Sequence, residues 1–178
     1  EEALGLIRVE YEPLPPVMSI EEALKPEAPA IHEGGNVHRG VAVEFGDVEE
    51  GFRQADYVRE DIFFYGGSTH LPLEEHSALA QYNPLEGKLT LWSSTQAPHY
   101  VHRLLAKALE LPPHRVRVIA PPVGGGFGGK IELFAHEVCA AKLSMMTGRP
   151  VKMTLTREEV FYTHRGRHPT IVWIKTGV

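Results

Sequence analysis

Cys139 is the one cysteine in 178 residues. A lone cysteine excludes an intrachain disulfide, a thiolate zinc site and a self-contained iron–sulfur cluster. It suits a reducing compartment, so a cytoplasmic setting is expected. Long apolar runs are lacking too: none approaches the roughly 18 residues that would cross a bilayer. The opening residues, EEALGLIRVEYE, are acidic and have no basic n-region of a secretory signal peptide. Positive charge is not in excess, since 18 Lys and Arg against 23 Asp and Glu leave a net charge of −5. That balance argues against a nucleic-acid surface. Internal repeats and low-complexity segments are absent. So is an initiator methionine, and the ending IVWIKTGV reads as a strand with no polar tail. The chain is therefore expected to be an excised piece of something longer.

What is present suffices for one globular domain, or one domain with an appendage, because 43% of the residues are hydrophobic. Residues 1–50 read as a connector or domain edge. LIRVEYEPLPP starts as a short strand and stops at its prolines. Ser19 with Glu22 forms a capping-box pattern before one or two helical turns that Pro26 ends. Residues 51–178 carry the core. DYVREDIFFY, HSALAQYN and KLTLWSST read as strands, with NPLEG as a hairpin turn between the last two. HYVHRLLAKALEL is a helix whose stripe is Val101, Leu104, Leu105, Ala108 and Leu109, with Pro98 at its start and Pro112 and Pro113 beyond its end. RVRVIA is a strand. IELFAHEVCAAKLSMMTG is a helix expected to bury Ile131, Leu133, Phe134, Ala135, Val138 and Cys139, with Glu132, His136 and Ser144 opposite and Gly148 as its stop. VKMTLT and TIVWIKTGV are further strands. The order from residue 76 is strand, strand, helix, strand, helix, strand. This predicts an α+β, two-layer fold with helices packed on a mixed sheet. The strands at 115–120 and 151–156 share a helical crossover and are expected to run parallel.

PPVGGGFGGK, residues 121–130, follows a strand and opens a helix. Glycines there leave backbone N–H groups free to meet an anion, and Lys130 offers charge. The loop fits two fingerprints at once. Gly124, Gly126 and Gly129 match the dinucleotide pattern, but Pro121 and Pro122 intervene after the strand. The acids Glu158 and Glu159 also lie too far along. Gly124, Gly129 and Lys130 match a P-loop until Ile131, where Ser or Thr should hold magnesium. A freestanding dinucleotide- or nucleotide-binding module stays open on this ground, as does a purely structural turn.

The neighbours of the loop are more specific. WSSTQAPHYVHRLLAKALELPPHRVRVIAPPVGGGFGGK, with TGRPVKMTLTREEVF, HRGRHPT, HLPLEEHSALAQY and the connector GLIRVEYEPLPPVMSIEEALKPEAPAIHEGGNV, resembles the molybdenum-binding large subunit of the xanthine dehydrogenase and aldehyde oxidase family. TREEVFYTHRGR resembles the aromatic-acyl-CoA reductase (hydroxybenzoyl-CoA reductase) branch. The resemblance implies part of a molybdenum hydroxylase that acts on aldehydes, N-heterocycles or related small molecules, or of a reductase. It implies a molybdopterin cofactor, in bacteria often the cytosine dinucleotide, whose dithiolene holds molybdenum without a protein ligand. Iron–sulfur clusters and FAD would sit on other subunits or domains. The partners implied are the remainder of the large subunit, the iron–sulfur and flavin subunits and a small-molecule substrate, with no nucleic acid and no membrane. By position, Gly125, Gly126, Phe127, Gly128 and Gly129 match the loop that packs against the cofactor, and Thr95 and Gln96 match the STQ stretch lining the same region. Ser68 stands where many members place a Gln near the metal's oxo group. Ile131 replaces a substrate-facing Glu, which argues against purines. The family's catalytic Glu lies later in the subunit, so this piece alone is expected to be inactive.

The remaining chemistry-bearing residues read as structural. His99, His102, His164 and His168 lack the carboxylate or cysteine that completes a metal set. His70 and His76 are expected to be structural, and Cys139 to be an inert core thiol. Glu74 and Glu75, as neighbours on a strand, would point to opposite faces. The charges of TREEV and HRGRH are expected to face solvent or a subunit.

Overall fold

The structure is a computed structural model that describes residues 2–163 and 165–178. Its helices are α1 (Glu2–Gly5), α2 (Ile20–Ala23), α3 (Val48–Gln54), α4 (Pro98–Ala108), α5 (Ala135–Thr147) and α6 (Arg157–Thr163). Its strands are β1 (Val58–Tyr65), β2 (Ser77–Asn83), β3 (Lys88–Ser93), β4 (Val116–Ile119), β5 (Val151–Thr154) and β6 (Thr170–Gly177). Contacts group these elements into two units, one of Gly66–His168 and one of the residues up to Tyr65 with Pro169–Val178.

In the unit Gly66–His168, alternation along β2 and β3 decides the layering. Ala78, Ala80, Leu89 and Leu91 point to one face and are buried there with Val116. Val101, Leu105 and Ala106 of α4 and Ala140 and Ala141 of α5 close over them. Two adjacent alanines let the backbone of α5 approach the strands closely. The sheet order is β4-β3-β2-β5. β2 is antiparallel to β3 and to β5, whereas β3 and β4 are parallel across the α4 crossover. This is the mixed two-layer α+β arrangement expected from sequence. β4 and β5 do run the same way, but they sit at opposite edges of the sheet rather than side by side. Asn83 Oδ1 accepts from the N–H groups of Leu85 and Glu86, at 3.0 and 3.3 Å, and so shapes the hairpin turn.

Helix α5 buries a different face from the one expected, although Leu133 and Val138 do pack against the core. Its buried residues are His136, Glu137, Ala140, Ala141 and Ser144, whereas Cys139 is exposed. Cys139 is thus not a core thiol. Hydropathy misjudged the helix because its polar residues find partners on the sheet. Ser144 Oγ accepts from Tyr82 N at 2.9 Å, beyond the reach of β5, and donates to Arg149 O at 2.7 Å. Removing that hydroxyl strands a buried N–H and weakens the helix end. Ser144→Ala is expected to lower stability by about 1–3 kcal/mol, read by chemical denaturation. On α4 the stripe shifts slightly, since Ala106 is buried and Ala108 is not. Helix α6 begins with a reciprocal capping box that sequence reading passed over. Thr156 N donates to Glu159 Oε2 at 2.7 Å, and Glu159 N donates to Thr156 Oγ1 at 3.2 Å.

The other unit pairs β1 with β6 antiparallel, from Val58 opposite Gly177 to Tyr65 opposite Thr170. Asp47 Oδ1 caps α3 by accepting from Glu50 N at 2.9 Å. Ser19 Oγ caps α2 by accepting from Glu22 N at 3.0 Å. The strand expected at the start of LIRVEYEPLPP does not form: residues 7–18 are without secondary structure. No neighbouring strand offers them a ladder, and alternation alone does not hold a strand.

Candidate functional site

The glycine loop leaves β4 at Ile119 and returns to regular structure at α5. Its backbone is contorted. Gly125, Phe127 and Gly128 have φ of 97°, 52° and 89°, in the left-handed region. Glycine takes such angles freely, whereas Phe127 is strained there and holds its ring 72% exposed. Gly129 N donates back to Gly126 O at 2.7 Å, which closes the turn.

Two segments far away in sequence shape this loop. The first is the stretch after β3. Gln96 Oε1 accepts from Gly128 N at 3.0 Å and from Lys130 N at 3.2 Å. Gln96 N donates to Lys130 O at 2.8 Å, and Thr95 Oγ1 donates to the same carbonyl at 3.1 Å. A methyl on Gly126 would stand 2.4 Å from Gln96 Cδ and Oε1, so Gly126 must be bare for Gln96 to lie where it does. Thr95 and Gln96 thus hydrogen-bond directly to the end of the glycine loop.

The second segment is residues 70–76, of which sequence placed His70 and His76 near the pocket but not Pro72 or Glu74. It is irregular rather than a strand. His70 packs 3.1 Å from where a Cβ on Gly129 would stand, and Pro72 lies 3.4 Å from the corresponding point on Gly125. His76 Nε2 meets Gly129 O at 3.0 Å. Glu74 Oε2 accepts from Gly124 N at 2.9 Å and from Lys130 Nζ at 2.6 Å. The Lys130 side chain is wholly buried in this ion pair. It is therefore not presented to an anion, contrary to expectation, and a P-loop role for it is excluded. Arg157, expected to be solvated, instead donates to Pro72 O at 2.9 Å and Leu73 O at 2.8 Å and pairs with Glu75 at 3.2 Å. The two glutamates diverge because they answer two different cations.

Behind the loop lies a small polar cluster. Glu137 is buried, and its carboxylate accepts from Ser93 Oγ and from Phe134 N, the latter at 2.7 Å. Burial pushes its carboxyl above the usual range, against the pull of those two hydrogen bonds. His76 and His136 stand edge to face, with centroids 6.0 Å apart. Burial, with the charge of His76 second, pushes His136 down to about 4. Its Nδ1 is buried with no hydrogen-bond partner among the described residues. His76 is lowered as well, chiefly by burial. His102 Nε2 donates to Pro113 O and Val116 O, at 3.0 and 3.1 Å, and so pins the turn before β4. Ser68 is bridged through its backbone to Arg167. His164 lies outside the described residues. Among the described residues no group of three or more His, Cys, Asp or Glu is placed to hold a metal ion, and no helix is long and apolar enough to cross a membrane.

What the loop offers is backbone. The N–H groups of Gly125, Gly126 and Phe127 have no protein acceptor among the described residues. Successive free amides on a rigid, side-chain-poor turn suit the oxygens or ring nitrogens of a flat anionic ligand. The sequence profile of the family described as molybdopterin cofactor-binding domain matches residues 31–178. The nicotinate dehydrogenase large molybdopterin subunit of Eubacterium barkeri is 41% identical over 177 residues, covering 99% of this chain and 41% of that protein. The xanthine dehydrogenase molybdenum-binding subunit of Escherichia coli O157:H7 is 36% identical, over 100% of this chain and 24% of its own length. Among solved structures, the aldehyde oxidoreductase from Desulfovibrio gigas aligns with a TM-score of 0.84 at 28% identity, over 99% of this chain and 20% of that one. The chain thus spans between a fifth and two fifths of the length of these relatives. It belongs to the molybdopterin cofactor-binding domain family.

Proposed function

We propose that this chain supplies one wall of the cofactor site of a molybdopterin-dependent oxidoreductase acting on an aldehyde, an N-heterocycle or a related small molecule. The observation that carries this reading is the locked glycine loop, with three N–H groups that no protein group takes up among the described residues. Gly125, Gly126 and Phe127 would donate to the cofactor, and Gly128 and Gly129 would keep the backbone close to it. Thr95 and Gln96 would hold the loop in register, and the exposed Phe127 ring would shape the adjoining pocket. The cofactor, in its cytosine dinucleotide form, would bring redox and oxygen-transfer chemistry at molybdenum. The loop residues bind and orient it, and they supply fixed dipoles that need no reorganisation. Iron–sulfur and flavin subunits in the cytoplasm would be the electron partners, and the remainder of the large subunit would supply the catalytic base. The named relatives, described as a large molybdopterin subunit and a molybdenum-binding subunit, support a multi-subunit setting. A freestanding nucleotide module fits less well, because Lys130 is buried against Glu74.

Gly126→Ala tests the reading in the full-length protein. The methyl group displaces Gln96, which then releases the N–H groups of Gly128 and Lys130. Molybdenum and pterin content should fall roughly tenfold, the equivalent of losing one or two well-made hydrogen bonds. Unchanged content would sink the assignment of the loop.

A further inference from the structure

We infer that Glu74 is a positioning residue that sets the direction of the loop's free amides. The inference rests on the glycine loop being the cofactor's seat. The loop has two halves, and they are held differently. Gly128 to Lys130 is gripped by Gln96 and Thr95 through four hydrogen bonds. From Pro121 to Gly125, by contrast, the only hydrogen bonds among the described residues go to Glu74. Gly124 N donates to its carboxylate at 2.9 Å, and Glu74 N donates to Gly124 O at 3.3 Å. The same Oε2 receives Lys130 Nζ at 2.6 Å. One oxygen therefore ties the first glycine of the loop to its last residue and fixes the width of the turn between them. Gly125, Gly126 and Phe127 span that width, and the one other hydrogen bond on this stretch among the described residues is from Gly129 N to Gly126 O at 2.7 Å.

The surroundings make Glu74 a fixed point rather than a mobile side chain. Its neighbours Pro72, Leu73 and Glu75 are all held by Arg157, at the start of α6. A Cβ on Gly124 would come within 2.7 Å of Glu74 Cβ, so backbone and side chain meet at closest contact. Lys130 has no exposed side-chain surface and also reaches Glu75 O at 3.4 Å. The ion pair is thus a tether with two functions. The carboxylate neutralises the buried Lys130 ammonium, and it also orients Gly124. These functions are separable, because an amide side chain at 74 still accepts from Gly124 N–H without needing a cation beside it.

Two double variants of the full-length enzyme separate them. Both Glu74→Gln with Lys130→Met and Glu74→Ala with Lys130→Met remove the buried charge pair. They differ only in keeping or losing the acceptor for Gly124. Molybdenum and pterin content should stay within about threefold of wild type in the Gln pair and fall about tenfold in the Ala pair, as for loss of one hydrogen bond. Equal content in the two overturns the inference. Gly126→Ala, measured alongside, separates the two claims. A fall in that variant with equal doubles rejects the role of Glu74 alone, whereas no fall rejects the seat itself. Should the doubles fail to fold, hydrogen exchange on wild-type subunit made without cofactor decides. Gly124 N–H should exchange about tenfold or more slowly than the amides of Gly125 and Gly126, as expected for a bonded donor beside free ones. Equal rates overturn the inference.

Discussion

Glu74→Ala should cost about 3–5 kcal/mol of folding stability, the effect expected when one partner of a buried ion pair is removed. The reason is an asymmetry of exposure. The Lys130 side chain has 0% of its surface accessible, whereas Glu74 retains 34%. Without Glu74 the ammonium is left buried, with the carbonyl of Glu75 at 3.4 Å as its remaining acceptor among the described residues. Lys130→Met should be milder, because the orphaned carboxylate can hydrate and keeps its bond from Gly124. Denaturant unfolding of both variants checks the ordering. A greater loss in Lys130→Met than in Glu74→Ala would contradict it.

Acid should loosen the region behind the loop, chiefly through His136. Its imidazole ionises near 6.5 when unfolded and at about 4 in the fold, because burial disfavours the cation. Between these values the unfolded chain binds a proton that the folded chain refuses. Stability therefore rises with pH across this window, is fully present above about 6.5 and is lost as pH falls to 4. A shift of this size corresponds to about 3 kcal/mol. Glu137 works in the opposite sense, because its raised carboxyl favours the fold at low pH and costs stability as pH rises. His76 is lowered like His136 and adds to the acid sensitivity. The informative quantity is thus the difference between wild type and His136→Leu, measured as unfolding free energy at pH 7 and at pH 4.5. The variant should lose less on acidification. Parallel curves would show that His136 does not titrate as its burial dictates.

Particular residues show what could be read from sequence and what could not. The sheet and its two covering helices were legible because Ala78, Ala80, Leu89, Leu91, Val101 and Leu105 follow the periods of strand and helix. Thr95, Gln96 and the glycines were legible as a constellation only through resemblance, and the structure brings them into one hydrogen-bond network. Lys130 was misread because its ion partner is 56 residues away, and no local pattern marks Glu74 as that partner. Helix α5 was misread in part for a similar reason. Ser144 and Glu137 are polar by composition, yet Tyr82 and Ser93 satisfy them at separations of 62 and 44 residues. The cap of α6, by contrast, was present in the sequence as Thr156 and Glu159, three residues apart.

The bonds that shape the glycine loop also set a timetable for folding. Those from Gln96 to Gly128, from Glu74 to Gly124 and from His76 to Gly129 close separations of 32, 50 and 53 residues. Contacts of such range form late, after hairpin and helices have condensed. On a growing chain the loop cannot take its shape until Lys130 has emerged and the flanking strands have paired. A cofactor held on this loop, as proposed, would accordingly meet a seat shaped by long-range bonds within the protein.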